Sequence, residues 1–461
     1  MARLSVQQKN KNTATEYKSS YYNYLYETDA ISLLYNTYTG AMAKLFGEDK
    51  ESVIALLKAP NNMGLQKRNP SIWQDLLNNG FVVDKNMNEL DFIRLRLLKS
   101  RFDVHSLSFT LVPTRACNCR CVYCFEEPMN SSMGKDDCIE TAKFIKSQIE
   151  EIKPLNLVTI WYGGEPLLAT ETMEFLSEAL MRICEESGIL YIAHLISNGY
   201  LLSESLVFKL KKMGIETIQI TLDGPERIHN QRRVLKNGGP TFQRLKEAIL
   251  ISKRIFKNVV IRIHVDQVNK QSIYDLLKEE WLYGDNVRIE PGYLKDFSAL
   301  CMDWRSNKKA ISPRDFFMME EHFDQLGVRK NSKEENHNYE ALVNSIPVKG
   351  RYCGADYMGH WIIGPGALAY KCLSSLNIND ECGYLKNGKF YPNQNFTYWF
   401  LNTPIDDKNC QCCKLLPLCM GGCPTIRKRY SSILKSGICG YWNFYLEETL
   451  KKIIQKMGYQ K

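Results

Sequence analysis

Three cysteines carry the chemistry this chain most plainly offers. Cys117, Cys121 and Cys124 stand in the run Cys117-Asn-Cys-Arg-Cys121-Val-Tyr-Cys124-Phe125, with the spacing CxxxCxxC. Three thiolates on one short loop suit three irons of a cubane iron–sulfur cluster. The fourth iron then has no protein ligand, and an open metal position is the mark of a catalytic site. A structural zinc site wants four ligands in paired spacing instead. Cys119 is a spare thiol with no assigned role. A second constellation lies near the C-terminus. Cys410, Cys413, Cys419 and Cys423 have the spacing Cx2Cx5Cx3C; Cys439 follows, and Cys353, Cys372 and Cys382 lie upstream. Thiolate-rich sites of this kind suit iron–sulfur clusters and zinc.

The chain has 461 residues, too many for one ordinary core, so two or three domains are expected. Most of its 16 cysteines crowd at 117–124 and 353–439, the pattern of metal ligands or redox groups. The first residues, Met1-Ala-Arg-Leu-Ser-Val-Gln-Gln-Lys, lack the apolar stretch of a signal peptide, and no apolar run approaches a membrane span. A cytoplasmic protein with no membrane partner is the expectation, and its reducing compartment argues against disulfides. The net charge of +9 is modest for this size and reads as a solvated basic surface. There is no nucleic-acid motif.

The elements that must position these cysteines can be read from periodicity. Residues 1–100 form one unit. Within it, 31–46 reads as two strands around an Asn-Thr-Tyr-Thr-Gly turn, 50–58 and 71–79 as helices, and 81–83 as a short wing strand. From 101 to 300, apolar β-rich runs at 106–112, 157–162, 190–197, 217–222, 259–265 and 286–290 alternate with helical patterns near 136–152, 171–187, 203–213, 241–256 and 271–280. Six strands with intervening helices imply a parallel α/β sheet, whose ligands collect at the C-terminal strand ends. Cys117, Gly163-Gly164-Glu165-Pro166, Ser197-Asn198 and Asp223-Gly224 follow the first four strands, so one mouth gathers them all. Residues 301–349 read as a connector, with a helix starting after Ser312-Pro313 and a polar loop from Lys330 to Asn338. The segment from 350 is rich in Cys and Gly, poor in periodicity, and expected to need metal to hold it. Residues 441–457 read as a closing amphipathic helix. Glu290, near the end of the sixth strand, is a candidate general base if it faces the mouth; a structural salt bridge is the alternative.

The spacing at 117–124 resembles the radical S-adenosylmethionine superfamily. That resemblance implies a partial (β/α)6 TIM barrel in an α/β protein. Its unique iron chelates S-adenosylmethionine, and an added electron releases a 5′-deoxyadenosyl radical that abstracts hydrogen. Gly163-Gly164-Glu165-Pro166 matches the family's GGEP motif, with glycines for close backbone approach and Glu165 as acceptor for the cofactor's ammonium group. Ser197 and Asn198 stand where the family contacts the ribose. Asp223, in Leu222-Asp223-Gly224-Pro225, with His229 and Arg233 beyond it, resembles a block of the peptide-modifying members, and Arg233 would pair with the cofactor carboxylate. The segment 350–461 resembles the SPASM extension, which carries two auxiliary [4Fe–4S] clusters and so brings the total to three. By that resemblance Cys410, Cys413, Cys419 and Cys439 hold the distal cluster, and Cys353, Cys372 and Cys423 the nearer one. Five residues between Gly366 and Cys372, where the family usually has four, mark a local departure. Fully ligated relatives carry a further upstream cysteine. Here Cys382 swings in as the fourth ligand, or one iron stays open to a substrate thiolate, which is the favoured reading. Residues 30–84 resemble the winged-helix modules that recognise leader peptides by strand addition; a structural cap over the barrel is the alternative.

These resemblances imply an enzyme that modifies a ribosomally made precursor peptide bearing a leader, with a flavodoxin or ferredoxin as reductant. A cross-link from a cysteine sulfur to carbon is the expected product, and a carbon–carbon cross-link an alternative. A sulfatase-maturing oxidase is a rival. In that subfamily an Asp follows one auxiliary cysteine, whereas Cys353, Cys372 and Cys382 precede Gly354, Leu373 and Gly383. A multi-cluster electron carrier or a zinc-binding module is the non-enzymatic alternative.

Overall fold

The computed structural model describes residues 15–29, 31–126, 129–293, 310–328, 343, 346–376, 379–429 and 435–457. The expected polar loop from Lys330 to Asn338 and most of the connector lie outside these residues.

The N-terminal unit runs β1 (Tyr17–Ser19), β2 (Asn23–Glu27), β3 (Ser32–Asn36), β4 (Met42–Leu45), α1 (Gly47–Lys58), α2 (Met63–Arg68), α3 (Pro70–Asn78), β5 (Val82–Asp84) and α4 (Glu89–Phe102). Strands β2, β3 and β4 form an antiparallel sheet, and β1 pairs with β5. The expected hairpin is β3–β4. Asn36 closes its turn, its side-chain oxygen accepting from Tyr38 N (3.0 Å) and Thr39 N (2.9 Å), while Gly40 takes a left-handed backbone at φ 76°. Every residue of β3 is buried, because both faces are covered. Leu34 packs on Leu45, Val53, Leu56 and Leu76 of its own unit. Leu33 and Tyr35 pack on Leu415, Leu418, Trp442 and Leu446 of the C-terminal segment.

The middle of the chain supplies β6 (Leu107–Leu111), β7 (Cys119–Cys121), β8 (Asn156–Trp161), β9 (Leu190–Ser197), β10 (Ile215–Leu222), β11 (Arg233–Leu235), β12 (Asn258–Val265) and β13 (Val287–Tyr293). Strands β6, β8, β9, β10, β12 and β13 lie side by side in chain order, all parallel. Alternation along each strand separates two faces. Leu107, Phe109, Leu157, Trp161, Leu195, Ile220, Ile261 and Ile263 enter one core with the helices between the strands. Thr110, Val112, Tyr162, Asn198, Asp223, Arg262, His264 and Glu290 alternate with them on the opposite, inner face. The expected helix after Ser312 is Pro313–Gln325, with the Ser312 hydroxyl accepting from Asp315 N at 3.0 Å.

The segment from 350 departs from expectation. It continues the main sheet: β14 (His360–Gly364) pairs parallel with β6, and β15 (Leu368–Tyr370), β16 (Gly383–Lys386) and β17 (Lys389–Pro392) follow antiparallel. The ten strands form one mixed sheet that runs across the expected boundary at 350. Trp361 and Ile363 enter the main core, so the segment borrows apolar burial from the six parallel strands and their helices as well as using its own. The closing helix begins earlier than expected, at Lys435. Among the described residues no helix is long and apolar enough to cross a membrane.

Arg101 ties the first unit to the last. It is fully buried at the end of α4, donates to Phe400 O (2.8 Å) and Asn402 O (3.4 Å), and pairs with Asp356, itself 2% exposed, at 3.4 Å. Removing one partner strands the other charge out of water. Arg101→Ala is expected to cost about 3–5 kcal/mol in chemical denaturation; a loss below about 1 kcal/mol would show the clamp to be dispensable.

Candidate active site

The first cysteine loop is shaped by a short ladder that periodicity does not reveal. Residues Cys119–Cys121 pair antiparallel with Arg233–Leu235, which places Arg233 directly opposite Cys121. Cys124 N bonds back to Cys121 O at 3.2 Å. The three thiols are close enough to act on one another: Cys117 raises the pKa of Cys121, and both raise that of Cys124, although burial is the larger cause in each case. The Cys117 thiol is held below its ordinary value. The neighbouring Cys119 thiol is the main cause, opposed by burial and helped by Cys119 N–H (3.4 Å), Arg233 and the Asn198 side chain (3.9 Å). Cys119 itself is buried.

The GGEP turn packs beneath this loop. A Cβ on Gly163 would stand 2.4 Å from Thr114 O, and one on Gly164 2.3 Å from Ala116 O, so only glycine lets the second strand's end approach the cysteine loop. Glu165 is fully buried. Its oxygens accept from Ser197 Oγ (2.8 Å), Leu167 N (3.1 Å) and Asn198 N (2.7 Å). Burial pushes its carboxyl up to about 7 against the pull of those donors. Glu165 and Ser197, both expected at the cofactor, therefore join the ends of β8 and β9. Pro166 begins the helical turn that follows. Asn198 donates to Asn118 Oδ1 at 2.7 Å and so reaches the cysteine loop itself.

Asp223 anchors a second buried network. Tyr123, inside the CxxC, donates to Asp223 Oδ1 (2.9 Å) and accepts from Arg233 Nη1 (2.8 Å); His264 Nδ1 stands 3.3 Å from the same hydroxyl. Arg232 bridges Asp223 (3.1 Å) and Asp266 (2.9 Å). His229 packs behind, accepting from Asp223 N at 3.3 Å. Tyr123, Arg232, His264 and Asp266 were not singled out from the sequence. The tandem Arg232-Arg233 and the aromatic within the CxxC were visible signals, but which arginine faces which carboxylate depends on the ladder at 119–121.

Glu290 faces the inner side, as a base would. Its two oxygens are engaged by Arg288 Nε (2.7 Å) and Arg262 Nη1 (3.3 Å), the salt-bridge alternative.

The second constellation separates into two groups. Cys410, Cys413, Cys419 and Cys439 are mutual electrostatic neighbours. So are Cys353, Cys372 and Cys423, with Thr425 donating to the Cys372 sulfur at 3.0 Å. Cys382 packs in the same apolar cluster as Cys353 and Cys372. The groups acting on its thiol are burial, the Trp399 indole, Lys371 and Lys428. Among the described residues no three His, Cys, Asp or Glu side chains converge as the ligands of one metal ion would. A cubane carries its thiolates on separate irons and suits triads spread in this way. The first loop, with three mutually acting thiols and the Arg233 guanidinium beside them, fits a cluster with one open iron.

Residues 111–279 match the model of the radical SAM superfamily. The chain is 28% identical to an uncharacterized protein of Methanocaldococcus jannaschii over 38% of its own length, and that match spans about half (54%) of the relative. It is 23% identical to the radical SAM cyclopropyl synthase TigE of Paramaledivibacter caminithermalis, over 83% of this chain and 82% of that one. A serine-type anaerobic sulfatase-maturating enzyme of Klebsiella aerogenes is 22% identical, over 72% of this chain and 82% of its own. Among solved structures, native anSMEcpe with bound AdoMet superposes with a TM-score of 0.58 at 18% identity, over 76% of this chain and 99% of that one, a likeness of fold. The cysteine loop, the GGEP turn and strands β8, β9, β10 and β12 lie within the matched residues: residues 111–279 belong to a radical SAM domain.

Proposed function

We propose that this protein is a peptide-modifying radical enzyme. Cys117, Cys121 and Cys124 hold the [4Fe–4S] cluster that, with S-adenosylmethionine, supplies a hydrogen-abstracting 5′-deoxyadenosyl radical. The carrying observation is the sorting of seven C-terminal cysteines into a group of four and a group of three. Cys410, Cys413, Cys419 and Cys439 hold one auxiliary cluster; Cys353, Cys372 and Cys423 hold another. Cys382 stands with Trp399 and Lys371 rather than among the three thiols acting on one another, which supports an open iron in the nearer cluster. An open thiophilic iron would bind a substrate thiolate and keep its sulfur still, suiting a bond from sulfur to carbon. In the mouth, Arg233 would pair with the cofactor carboxylate, and Glu165 orders the strand ends through Ser197 and Asn198.

A leader segment would add to β4, the edge of the three-stranded sheet. A flavodoxin or ferredoxin would supply electrons. The match to the sulfatase-maturating enzyme supports a second reading, oxidation of a Ser or Cys side chain. Against it stands the absence of an Asp directly after Cys353, Cys372 or Cys382.

The reading is tested by replacing Cys117, Cys121 and Cys124 together with Ala after anaerobic reconstitution. The expected outcome is loss of 5′-deoxyadenosine production with auxiliary iron retained, because the two cysteine regions are on different segments. Continued cleavage of S-adenosylmethionine would sink the assignment. The product is read by mass spectrometry of the precursor peptide, to be sought as a short cysteine-containing open reading frame beside the gene. Loss of two hydrogens with a blocked thiol is expected; conversion of Ser or Cys to an aldehyde would select the second reading.

Leader binding is tested by hydrogen exchange in the intact protein. Adding that peptide should slow exchange in residues 42–45. Unchanged exchange in β4, with the peptide bound elsewhere, would refute strand addition.

A further inference from the structure

Arg115 is a buried charge that the site has not used. It lies two residues before Cys117, on the loop that follows β6, and is 7% exposed. Its backbone is fixed: Arg115 N donates to Ser131 O at 2.8 Å, and the Gly163-Gly164 turn closes against the carbonyls of residues 114–116. Its side chain is not satisfied in the same way. Nε and Nη2 are both shut off from solvent with no hydrogen-bond partner. Among the described residues no carboxylate reaches ion-pair distance of it.

Those two atoms form one edge of the guanidinium, with parallel N–H bonds at the spacing of a carboxylate's oxygens. A buried polar group without a partner is rare, and a buried unpaired charge is rarer. An edge left empty on both positions is the shape of a receptor for a planar anion. The surroundings indicate which way it faces. Arg115 acts electrostatically on Glu126, at the end of the first cysteine loop, and on Tyr370, two residues before Cys372. Tyr370 and Val112 share one apolar cluster with Tyr162 and Leu373 on the inner face. Arg115 therefore lies within electrostatic reach of the end of the first cysteine loop and of the strand that leads to Cys372, whereas Arg233 stands opposite Cys121.

We propose that the Nε–Nη2 edge of Arg115 binds a carboxylate of the peptide substrate, an Asp or Glu side chain or the C-terminus, and so fixes the peptide between the two cysteine regions. The proposal rests on the peptide-modifying reading above and adds the substrate's chemistry: an acidic group close to the residue that reacts. Arg115 is then a specificity-determining residue. A lysine could keep the charge but not the two-pronged edge.

The test is a double-mutant cycle on the reconstituted protein, with the fluorescein-labelled peptide of the adjoining short open reading frame as probe. Each Asp and Glu is replaced singly by its amide, the C-terminus is amidated in a further peptide, and binding is read by anisotropy. In the wild type, one replacement should weaken binding about tenfold or more, as for a hydrogen-bonded charge pair. The same replacement should change nothing further in Arg115→Gln, and Arg115→Lys should recover only part of the loss. Iron content and S-adenosylmethionine affinity by equilibrium dialysis are measured on each variant. Should Arg115→Gln not load iron, the cycle with Arg115→Lys decides alone.

Three results would overturn the proposal. The first is that no acidic position couples to residue 115. The second is that Arg115→Gln weakens S-adenosylmethionine binding while sparing the peptide, which assigns the carboxylate to the cofactor. The third is that Glu126→Gln reproduces and absorbs the Arg115→Gln effect, which makes Glu126 the internal partner. Failure of the wild type to bind any of these peptides would be a different result: it would remove the peptide reading itself, and the proposal with it.

Discussion

Everything at the mouth depends on holding a cysteine loop still without a metal-independent core beneath it. A loop of eight residues with three reactive thiols has no apolar content to fold around, so its shape must come from hydrogen bonds to neighbours that are rigid. Three sets provide them. The ladder between Cys119–Cys121 and Arg233–Leu235 sets the path of the chain between the thiols. The Gly163-Gly164 turn packs against the carbonyls of residues 114–116 with no space for a side chain. Tyr123 is fixed by Asp223 and Arg233, and Asp223 by Arg232. The glycine turn follows the end of β8, and Asp223 and the ladder's Arg233–Leu235 both follow the end of β10. The sheet places those ends together before any cofactor arrives, which is the condition for a preorganised site.

The same constraint recurs at the other cysteine groups, where the support comes from further away in sequence. Cys413 and Cys419 pack against Ile31, Leu33 and Tyr35 of the N-terminal sheet. Tyr22, Ile93 and Leu97 pack with Ile405, Leu416 and Met420, and Cys410 lies against them. Tyr21 donates to Cys412 O (2.7 Å), and Lys414 Nζ donates to Asn23 O (2.9 Å). The N-terminal unit and the four-cysteine group are thus one packed body, and deleting residues 1–100 would expose that group. Any leader taken up at β4 would lie on a sheet whose middle strand touches the same cysteine-bearing segment.

Much of this was legible from the chain, and the reason differs between parts. The six parallel strands were visible because each is an apolar run buried against helices, with turn residues at its end. The grouping of Cys410, Cys413, Cys419 and Cys439 apart from Cys353, Cys372 and Cys423 followed from resemblance, since no spacing rule assigns Cys423 to residues fifty and more positions upstream. What escaped notice is non-local. The ladder at 119–121 uses three residues on each side, too short for any periodicity. The continuation of the sheet through β14 to β17 was hidden by a segment whose cysteines and glycines mask its alternation. The ion-pair partners of Glu290, Arg262 and Arg288, are set by strand register, which one chain alone does not display.

Buried arginines make the same point in energetic form. This protein buries Arg101, Arg232 and Arg233 with acceptors supplied from elsewhere: Asp356 and two carbonyls for the first, Asp223 and Asp266 for the second, Tyr123 for the third. A guanidinium withdrawn from water is tolerated when its donors are filled. Where the fold fills them from within, the arginine joins segments: Arg101 joins α4 to the C-terminal segment, and Arg232 joins the ends of β10 and β12. Arg115 lies in the same protein and is buried as deeply, but two of its donors have nothing to meet. Arg101 Nε and Arg232 Nη2 are also unpaired, but each of those side chains keeps a carboxylate partner; Arg115 has none among the described residues, and a carboxylate arriving from outside would fill its open edge.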